Sequence, residues 1–194
     1  MLRSLFTAST VFSIAFLTVP QLSAQEVKAH ADHAEGAHAA MPNLGIAVVV
    51  PTKENKVRGV IRLSQTGDHL HVVGKIRNLS PGEHGFHIHE FGDLRNMEDG
   101  TSAGGHFNPS GAPHGAPDHG HVGDLGNITA DGEGVASIDI TVKNTQLHFV
   151  LGRAFVIHAD KDDLTSQPSG AAGPRVGLGI IGVGNPEFKY APKE

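Results

Sequence analysis

Short β-branched and apolar runs alternate with clusters of glycine, proline, asparagine and aspartate from Leu44 onward. Alternation of apolar and polar positions, clearest in Ser137–Val142, is typical of strands with one face toward a core. Such runs predict eight strands: Gly45–Pro51, Val57–Gln65, His69–Leu79, Gly85–Glu90, Val122–Ile128, Gly134–Val142, His148–His158 and Val176–Val183. Because no long helical pattern separates them, we expect an all-β sandwich or barrel over residues 44–194.

Two long segments interrupt this rhythm. Residues 91–121 are rich in glycine and proline and hold several histidines, and residues 159–175 form a second long connection. Long loops within a compact β domain are usually functional, so we expect the chemistry of this protein to involve them.

The first 24 residues have the pattern of a secretory signal peptide. Arg3 supplies the positively charged n-region, Leu5–Val19 is apolar, and Leu22–Ala24 ends in a small residue that suits cleavage by a signal peptidase. The alternative is a buried N-terminal helix or a membrane anchor. We expect export, to the periplasm in a cell with two membranes and to the exterior otherwise.

A His-rich stretch, residues 25–43, follows this segment. It has no apolar periodicity and is expected to be a flexible tail. His30, His33 and His38 either bind metal weakly or belong to a solubilising linker, and the sequence leaves both interpretations open.

Charge and cysteine content narrow the possible partners. The formal net charge of −5 argues against nucleic acid or an anionic membrane as the main partner. No segment after the first is apolar for long enough to span a membrane. The chain has no cysteine, so its stability must come from core packing, bound metal or oligomerisation instead of disulfides.

Histidines are concentrated around the first long loop. His87 and His89 are two positions apart on a predicted strand, which places both imidazoles on one face as a chelating pair. His158 ends another predicted strand and is a candidate to complete a copper site, since imidazoles suit copper. His69 and His71 have the same spacing, but no further ligands follow them, so we interpret them as surface or packing residues.

The glycine- and proline-rich loop adds a second set of candidate ligands. His106, His114, His121 and Asp124 offer three nitrogens and one carboxylate, which form a complete tetrahedral zinc set. His119 lies between them and is interpreted as a solvated loop residue.

Four segments carry a resemblance to a known family: Gly85–Asp93, Gly104–Pro109, His121–Asn127 and Gly173–Gly182. In this order they resemble the copper-binding signature, the bridging-histidine segment, the zinc-loop exit and the C-terminal signature of Cu/Zn superoxide dismutases. Four motifs in one order are far more specific than a single pattern match.

The resemblance implies an eight-stranded Greek-key barrel and an enzyme that converts superoxide to oxygen and hydrogen peroxide. It assigns the metal ligands as follows: copper to His87, His89, His106 and His158, and zinc to His106, His114, His121 and Asp124. One imidazole, that of His106, is thereby shared by the two metals.

Three residues beside the metals also receive roles from the resemblance. Arg175 matches the arginine that guides superoxide, and Asp162 matches the carboxylate that links both metal sites through hydrogen bonds. His84 matches a structural histidine that binds no metal.

The chain departs from the family pattern in two places. Gly100 and Leu178 stand where the family has its disulfide cysteines, and such a bond is commonly worth about 2–4 kcal/mol. Its absence bears on the rigidity of the loop, on the dimer contact and on the pose of Arg175. The loop at residues 159–175 is also shorter than in eukaryotic members and has few charges after Asp163.

Two other functions compete with this interpretation. A non-catalytic copper/zinc-binding or copper-delivery domain of the same fold would be expected to lose a copper ligand, Arg175 or the zinc set, and all are present. An adhesive β-sandwich with incidental histidines would tolerate His106→Ala. The sequence leaves open whether the chain is a monomer or a homodimer.

Overall fold

The computed structural model describes residues 41–188. Its strands are β1 Leu44–Pro51, β2 Arg58–Thr66, β3 His69–Arg77, β4 Gly82–His89, β5 Asp124–Ala130, β6 Ala136–Val142, β7 Ala154–His158, β8 Arg175–Ile180 and β9 Gly182–Val183. A short helix, α1 (Leu147–Val150), and a 3₁₀ turn at Thr101–Ala103 complete the regular elements of this range. No helix within it is long and apolar enough to cross a membrane.

The predictions for the N-terminal region lie outside the described residues. They concern the signal peptide at residues 1–24 and the tail histidines His30, His33 and His38.

The strands form one antiparallel sheet that closes on itself. Their order is β2-β3-β6-β5-β4-β7-β8-β1-β9, and a further pairing of β1 with β2 completes the barrel. Because β3 pairs with β6 and β4 pairs with β7, the connections cross over in Greek-key fashion. The predicted eight-stranded all-β barrel is confirmed, and β9 adds two residues that pair with β1.

Side-chain alternation on β4 separates the core from the outer face. Phe86 and Ile88 belong to the central hydrophobic cluster, where the rings of Phe86 and Phe155 stack with centroids 5.1 Å apart. His87 and His89, which alternate with these two residues along the strand, therefore face the other side of the sheet. Both are nevertheless buried, because the long loops cover this side of the strand.

The strand predicted over His148–His158 is wrong in its first half. This part of the chain forms α1, and β7 begins only after it. Leu147 and Val150 are both buried, which is the i, i+3 spacing of a helical turn. Gly152 follows with a φ of 79°, a left-handed conformation that glycine adopts readily where a helix ends. A short apolar run alone does not distinguish a strand from a helix.

The loop between β4 and β5 folds back onto β4. Phe107 N–H donates to Ile88 C=O (2.7 Å), and Ile88 N–H donates to Gly123 C=O (2.9 Å). A Cβ atom on Gly123 would clash with the carbonyl oxygen of Ile88, so only glycine allows this approach. These bonds place the loop histidines directly over those of β4.

Candidate metal centre

Four imidazoles converge on the outer face of β4 and β7. His87 and His89 come from β4, His158 ends β7, and His106 is held opposite His89 by an isolated β-bridge. All four side chains are buried, and one ring nitrogen of each lies within 4.8 Å of the others. The fold therefore brings together the residues predicted as copper ligands.

Each of these imidazoles has one nitrogen held by an oxygen acceptor and one left free. The held nitrogens and their partners are His87 Nε2 with Asp162 Oδ2 (2.8 Å), His89 Nδ1 with Gly104 C=O (2.9 Å), His106 Nδ1 with Asp124 Oδ1 (2.7 Å) and His158 Nδ1 with Gly173 C=O (3.0 Å). The opposite nitrogens are buried without a hydrogen-bond partner: His87 Nδ1, His89 Nε2, His106 Nε2 and His158 Nε2. Unpaired buried polar atoms are rare, and four imidazole nitrogens that converge in this way fit a copper ion.

A second group surrounds the carboxylate of Asp124. Its Oδ1 lies 2.7 Å from His106 Nδ1 and 3.1 Å from His121 Nδ1, and its Oδ2 lies 3.0 Å from His114 Nδ1. Zinc with ligands at about 2.0–2.2 Å in a tetrahedron separates the ligand atoms by roughly 3.3 Å. The donor set and its spacing therefore fit zinc, with the four residues predicted for it.

His106 belongs to both groups. Its Nε2 faces the first group, and its Nδ1 faces Asp124 in the second. An imidazole can lose both N–H protons when each nitrogen faces a cation, so this position is suited to join two metal ions.

Asp162 connects the two groups from behind. Its buried carboxylate accepts hydrogen bonds from His87 Nε2 (2.8 Å) and His114 Nε2 (3.0 Å), and from the backbone N–H of Leu164 (2.7 Å). Burial by itself would raise the pKa of Asp162, but these hydrogen bonds outweigh it and lower the pKa below its usual value. The residue therefore stays ionised and fixes the orientation of one imidazole in each group.

Asn127 has a role that the sequence analysis missed. Its Nδ2 donates to Asp162 C=O (2.9 Å), and its Oδ1 accepts from Asp162 N–H (2.8 Å), which pins the backbone of the connecting aspartate. Asn127 lies in one of the four recognised segments, but the pairing is visible only once the fold has brought the two residues together.

Three histidines of the first group, His87, His89 and His158, are kept neutral. Burial, followed by repulsion from His87, lowers the pKa of His158 to about 3. Burial and the charge of Arg175 hold the pKa of His89 well below its usual value, and burial also lowers the pKa of His87. Neutral imidazole is the form that binds a metal, so these nitrogens are available at neutral pH.

Arg175 stands at the opening of the site. It lines a cavity of about 530 Å³ together with His106, His158 and residues of both long loops. Its guanidinium donates to the carbonyl oxygens of Gly104 (2.6 Å) and Gly100. Burial lowers the pKa of Arg175, but a guanidinium remains charged at any physiological pH.

A small apolar cluster stands where the family has its disulfide. A Cβ atom on Gly100 would lie 2.8 Å from Leu178 Cδ1, so the two residues are in direct contact. Leu178 is fully buried and packs with Ala103 and Val156. Packing therefore joins the long loop to β8 in this chain.

Within the described residues, His71, His84 and His119 lie apart from both groups. His84 is buried, with Nδ1 2.8 Å from His158 C=O and Nε2 2.8 Å from Ser80 C=O. His71 is exposed on β3 beside Asp139, and His119 is exposed in the loop. Within residues 41–188, none of the three belongs to a set of potential ligands.

A closed antiparallel barrel whose two ligand groups share one imidazole defines a binuclear metalloprotein. A family model described as copper/zinc superoxide dismutase matches residues 57–181. Superoxide dismutase [Cu-Zn] 3 of Arabidopsis thaliana is 48% identical over 149 residues, which cover 71% of this chain and 90% of that protein. Superoxide dismutase [Cu-Zn] 2 of Mesembryanthemum crystallinum is 45% identical over 151 residues, covering 71% and 94% respectively.

A solved structure, the crystal structure of the clock protein EA4, agrees with this relationship. It matches with a TM-score of 0.67 and 38% identity over 76% of this chain and 98% of that chain. The chain therefore belongs to the copper/zinc superoxide dismutase family, whose metals, copper and zinc, are those that the two ligand groups fit.

Proposed function

We propose that this protein converts two superoxide anions and two protons into oxygen and hydrogen peroxide. The observation that carries the proposal is the Arg175 guanidinium, which shares a cavity with His106 and His158 of the copper group. The relatives named as superoxide dismutases support it. When bound, copper supplies one-electron chemistry by alternating between Cu(II) and Cu(I), while redox-inert zinc maintains charge and position.

Arg175 attracts and orients the substrate. Its contacts with the carbonyl groups of Gly100 and Gly104 fix the guanidinium plane at the cavity wall. A fixed positive charge in a concave site raises the local concentration of a small anion and holds it by charge-assisted hydrogen bonds.

His106 contributes to proton transfer, and Asp162 fixes the orientation of two metal-binding imidazoles. His106 lines the cavity, and its Nε2, buried without a hydrogen-bond partner, would bind copper and, when released from it, could hold a proton for the reduced product. Asp162 holds His87 and His114 by their outer nitrogens, which keeps the inner nitrogens aimed at the metals.

The test is metal analysis combined with a superoxide dismutation assay on the purified protein. The proposal expects one copper and one zinc per chain and rapid turnover. A non-catalytic copper/zinc-binding or copper-delivery domain would bind both metals without turnover, and that result would replace the proposal.

We also propose that the chain forms a homodimer through an exposed apolar face on β1, β2, β8 and β9. This apolar face consists of Val48, Val50, Val60, Ile180 and Val183, of which Val48 is 60% exposed and Val183 62% exposed. Contiguous apolar patches of this kind mark protein interaction sites.

Export directed by residues 1–24 is a further proposal, supported by the sequence pattern alone.

A further inference from the structure

The short loop after Asp163 has no charge with which to act on the site. Residues 164–174 contain no acidic or basic side chain. The loop is instead tightly organised: the Asp163 carboxylate accepts from the N–H groups of Thr165 (2.9 Å) and Ser166 (2.8 Å), and Gly170 N–H donates to Ser166 C=O (2.7 Å). Its influence on the metal centre must therefore come from geometry.

Gln167 extends from this loop to the zinc group. Its Oε1 accepts from the backbone N–H of His114 (2.9 Å), and its Nε2 donates to the backbone C=O of the same residue (2.9 Å). One side-chain amide thus pairs with both polar backbone groups of a zinc ligand. The pairing also fixes the amide orientation, because the reversed amide would set donor against donor and acceptor against acceptor.

The imidazole of His114 is held from the same loop at its other end. His114 Nε2 contacts Asp162 Oδ1 (3.0 Å), and its Nδ1 lies in the zinc group. Gly170 closes over this contact, since a Cβ atom there would overlap both Asp162 Oδ1 and His114 Nε2. The loop therefore fixes the backbone of His114 through Gln167 and leaves room for the contact that fixes its ring.

We propose that Gln167 is a positioning residue for the zinc site: it sets the place of His114 and so controls how firmly zinc is held. This inference rests on the proposed function, because it assumes that zinc occupies the group around Asp124. Gln167 itself is exposed and lies outside the hydrophobic clusters, so its replacement should leave the barrel intact.

Zinc release from the metal-loaded protein to an excess of a coloured chelator tests this proposal. For Gln167→Ala we expect release about 10-fold faster than for the wild type, the lower end of the usual effect of losing an outer hydrogen-bond partner of a metal site. Gln167→Glu keeps the oxygen acceptor but loses the donor to His114 C=O, so it too should accelerate release. With Co(II) in place of zinc, both variants should show a changed visible d–d spectrum, which a purely structural role would not produce.

Gln146→Ala is the matched control, because Gln146 is also exposed and its side chain makes no capping hydrogen bond at the start of α1. Its release rate and cobalt spectrum should equal those of the wild type. Wild-type rates and spectra in both Gln167 variants would overturn the inference while leaving the zinc site intact. Absence of zinc from the loaded wild-type protein would instead overturn the zinc site and this inference together.

Discussion

At the scale of single residues, the site depends on side chains that are anchored through one polar group and keep another polar group free. Each imidazole of the copper group has one nitrogen bonded to an oxygen acceptor and one unpaired nitrogen. Arg175 follows the same principle, since carbonyl groups anchor its guanidinium at the edge of the cavity. Such anchoring removes the entropy cost of ordering a long side chain when an anion arrives.

Reversal of the charge at this position should separate substrate attraction from metal binding. We expect Arg175→Glu to lower kcat/KM for superoxide by about 100-fold, because a carboxylate repels the anion that the guanidinium attracts. Copper and zinc contents should stay at wild-type values, since Arg175 belongs to neither ligand group. Pulse radiolysis at several salt concentrations measures kcat/KM and its dependence on ionic strength, and elemental analysis measures the metal contents. Unchanged turnover in the variant would contradict a guiding role for Arg175.

At the scale of elements, the contact of the long loop with β8 replaces the family's disulfide. Leu178 is fully buried against Gly100 and Ala103, and Gly100 supplies one of the two carbonyl acceptors of Arg175. Gly100 has a φ of 73°, in the left-handed region that favours glycine. The pose of the arginine therefore depends on how well this leucine fills the space beneath the loop.

A cavity at the position of Leu178 should lower both the stability and the activity of the protein. Leu178→Ala should lower the free energy of unfolding by about 2–5 kcal/mol, as for other buried leucines. We also expect a lower kcat/KM per bound copper, because the loop that carries the Gly100 carbonyl loses its support.

Leu63→Ala is the matched control for this change, since Leu63 is equally buried but belongs to the central cluster on β2. It should show a comparable loss of stability in urea denaturation with normal activity per copper. Equal activity per copper in the two variants would show that Leu178 has no effect on the pose of Arg175.

The order of elements was predictable from the sequence because strand patterns and metal ligands are local signals. His87 and His89 show their role by their spacing together with the ligands that follow them, and the family resemblance places Asp162 and Arg175 beside them. The helix at Leu147–Val150 was missed because a few apolar residues fit either period. Gln167 and Asn127 act through backbone groups of residues distant in sequence, and no spacing rule gives those contacts.

At the scale of the whole molecule, the metal centre and the barrel are coupled energetically. The fold holds His87, His89 and His158 buried with unpaired nitrogens, an arrangement that is unfavourable without a metal. Because the protein has no disulfide, metal binding should provide a large share of the stabilisation of the loops.

This coupling predicts how the metal-free protein responds to pH. The pKa values of His87, His89 and His158 lie below the ordinary value of 6.5 in the folded state. As pH falls through 6.5 the unfolded chain binds protons that the folded chain does not, so stability is full above this pH and declines below it. Each such histidine contributes a slope of up to about 1.4 kcal/mol per pH unit.

Thermal melts of metal-free protein between pH 7.5 and pH 5 would measure this decline. The metal-loaded protein is the control, and its Tm should stay nearly constant over the same range, because bound metals keep the nitrogens unprotonated. A Tm of the metal-free form that does not change with pH would contradict the neutral state of these histidines. A thiol reductant should leave both forms unaffected.

The apolar face predicts that two copies of the barrel associate. Val48 and Val60 are cross-strand partners on β1 and β2, and Ile180 on β8 is 41% exposed beyond them, so the apolar side chains span neighbouring strands. A stable dimer usually buries roughly 1,200–2,000 Å² in total, and a patch across four strands can supply one partner's share. Sedimentation equilibrium should therefore give a dimer mass at micromolar concentration.

Charge placed on that face should abolish the dimer without disturbing the metal centre. Val48→Lys and Ile180→Lys each bring a lysine into the contact of two copies, where the buried ammonium groups would lack partners and repel each other. We expect monomers that retain both metals and turnover, because neither residue belongs to a ligand group. Thr141→Lys, at an exposed position on β6, should remain dimeric. A monomeric wild type, or dimers that persist in both face variants, would show that the apolar face is not a dimer interface.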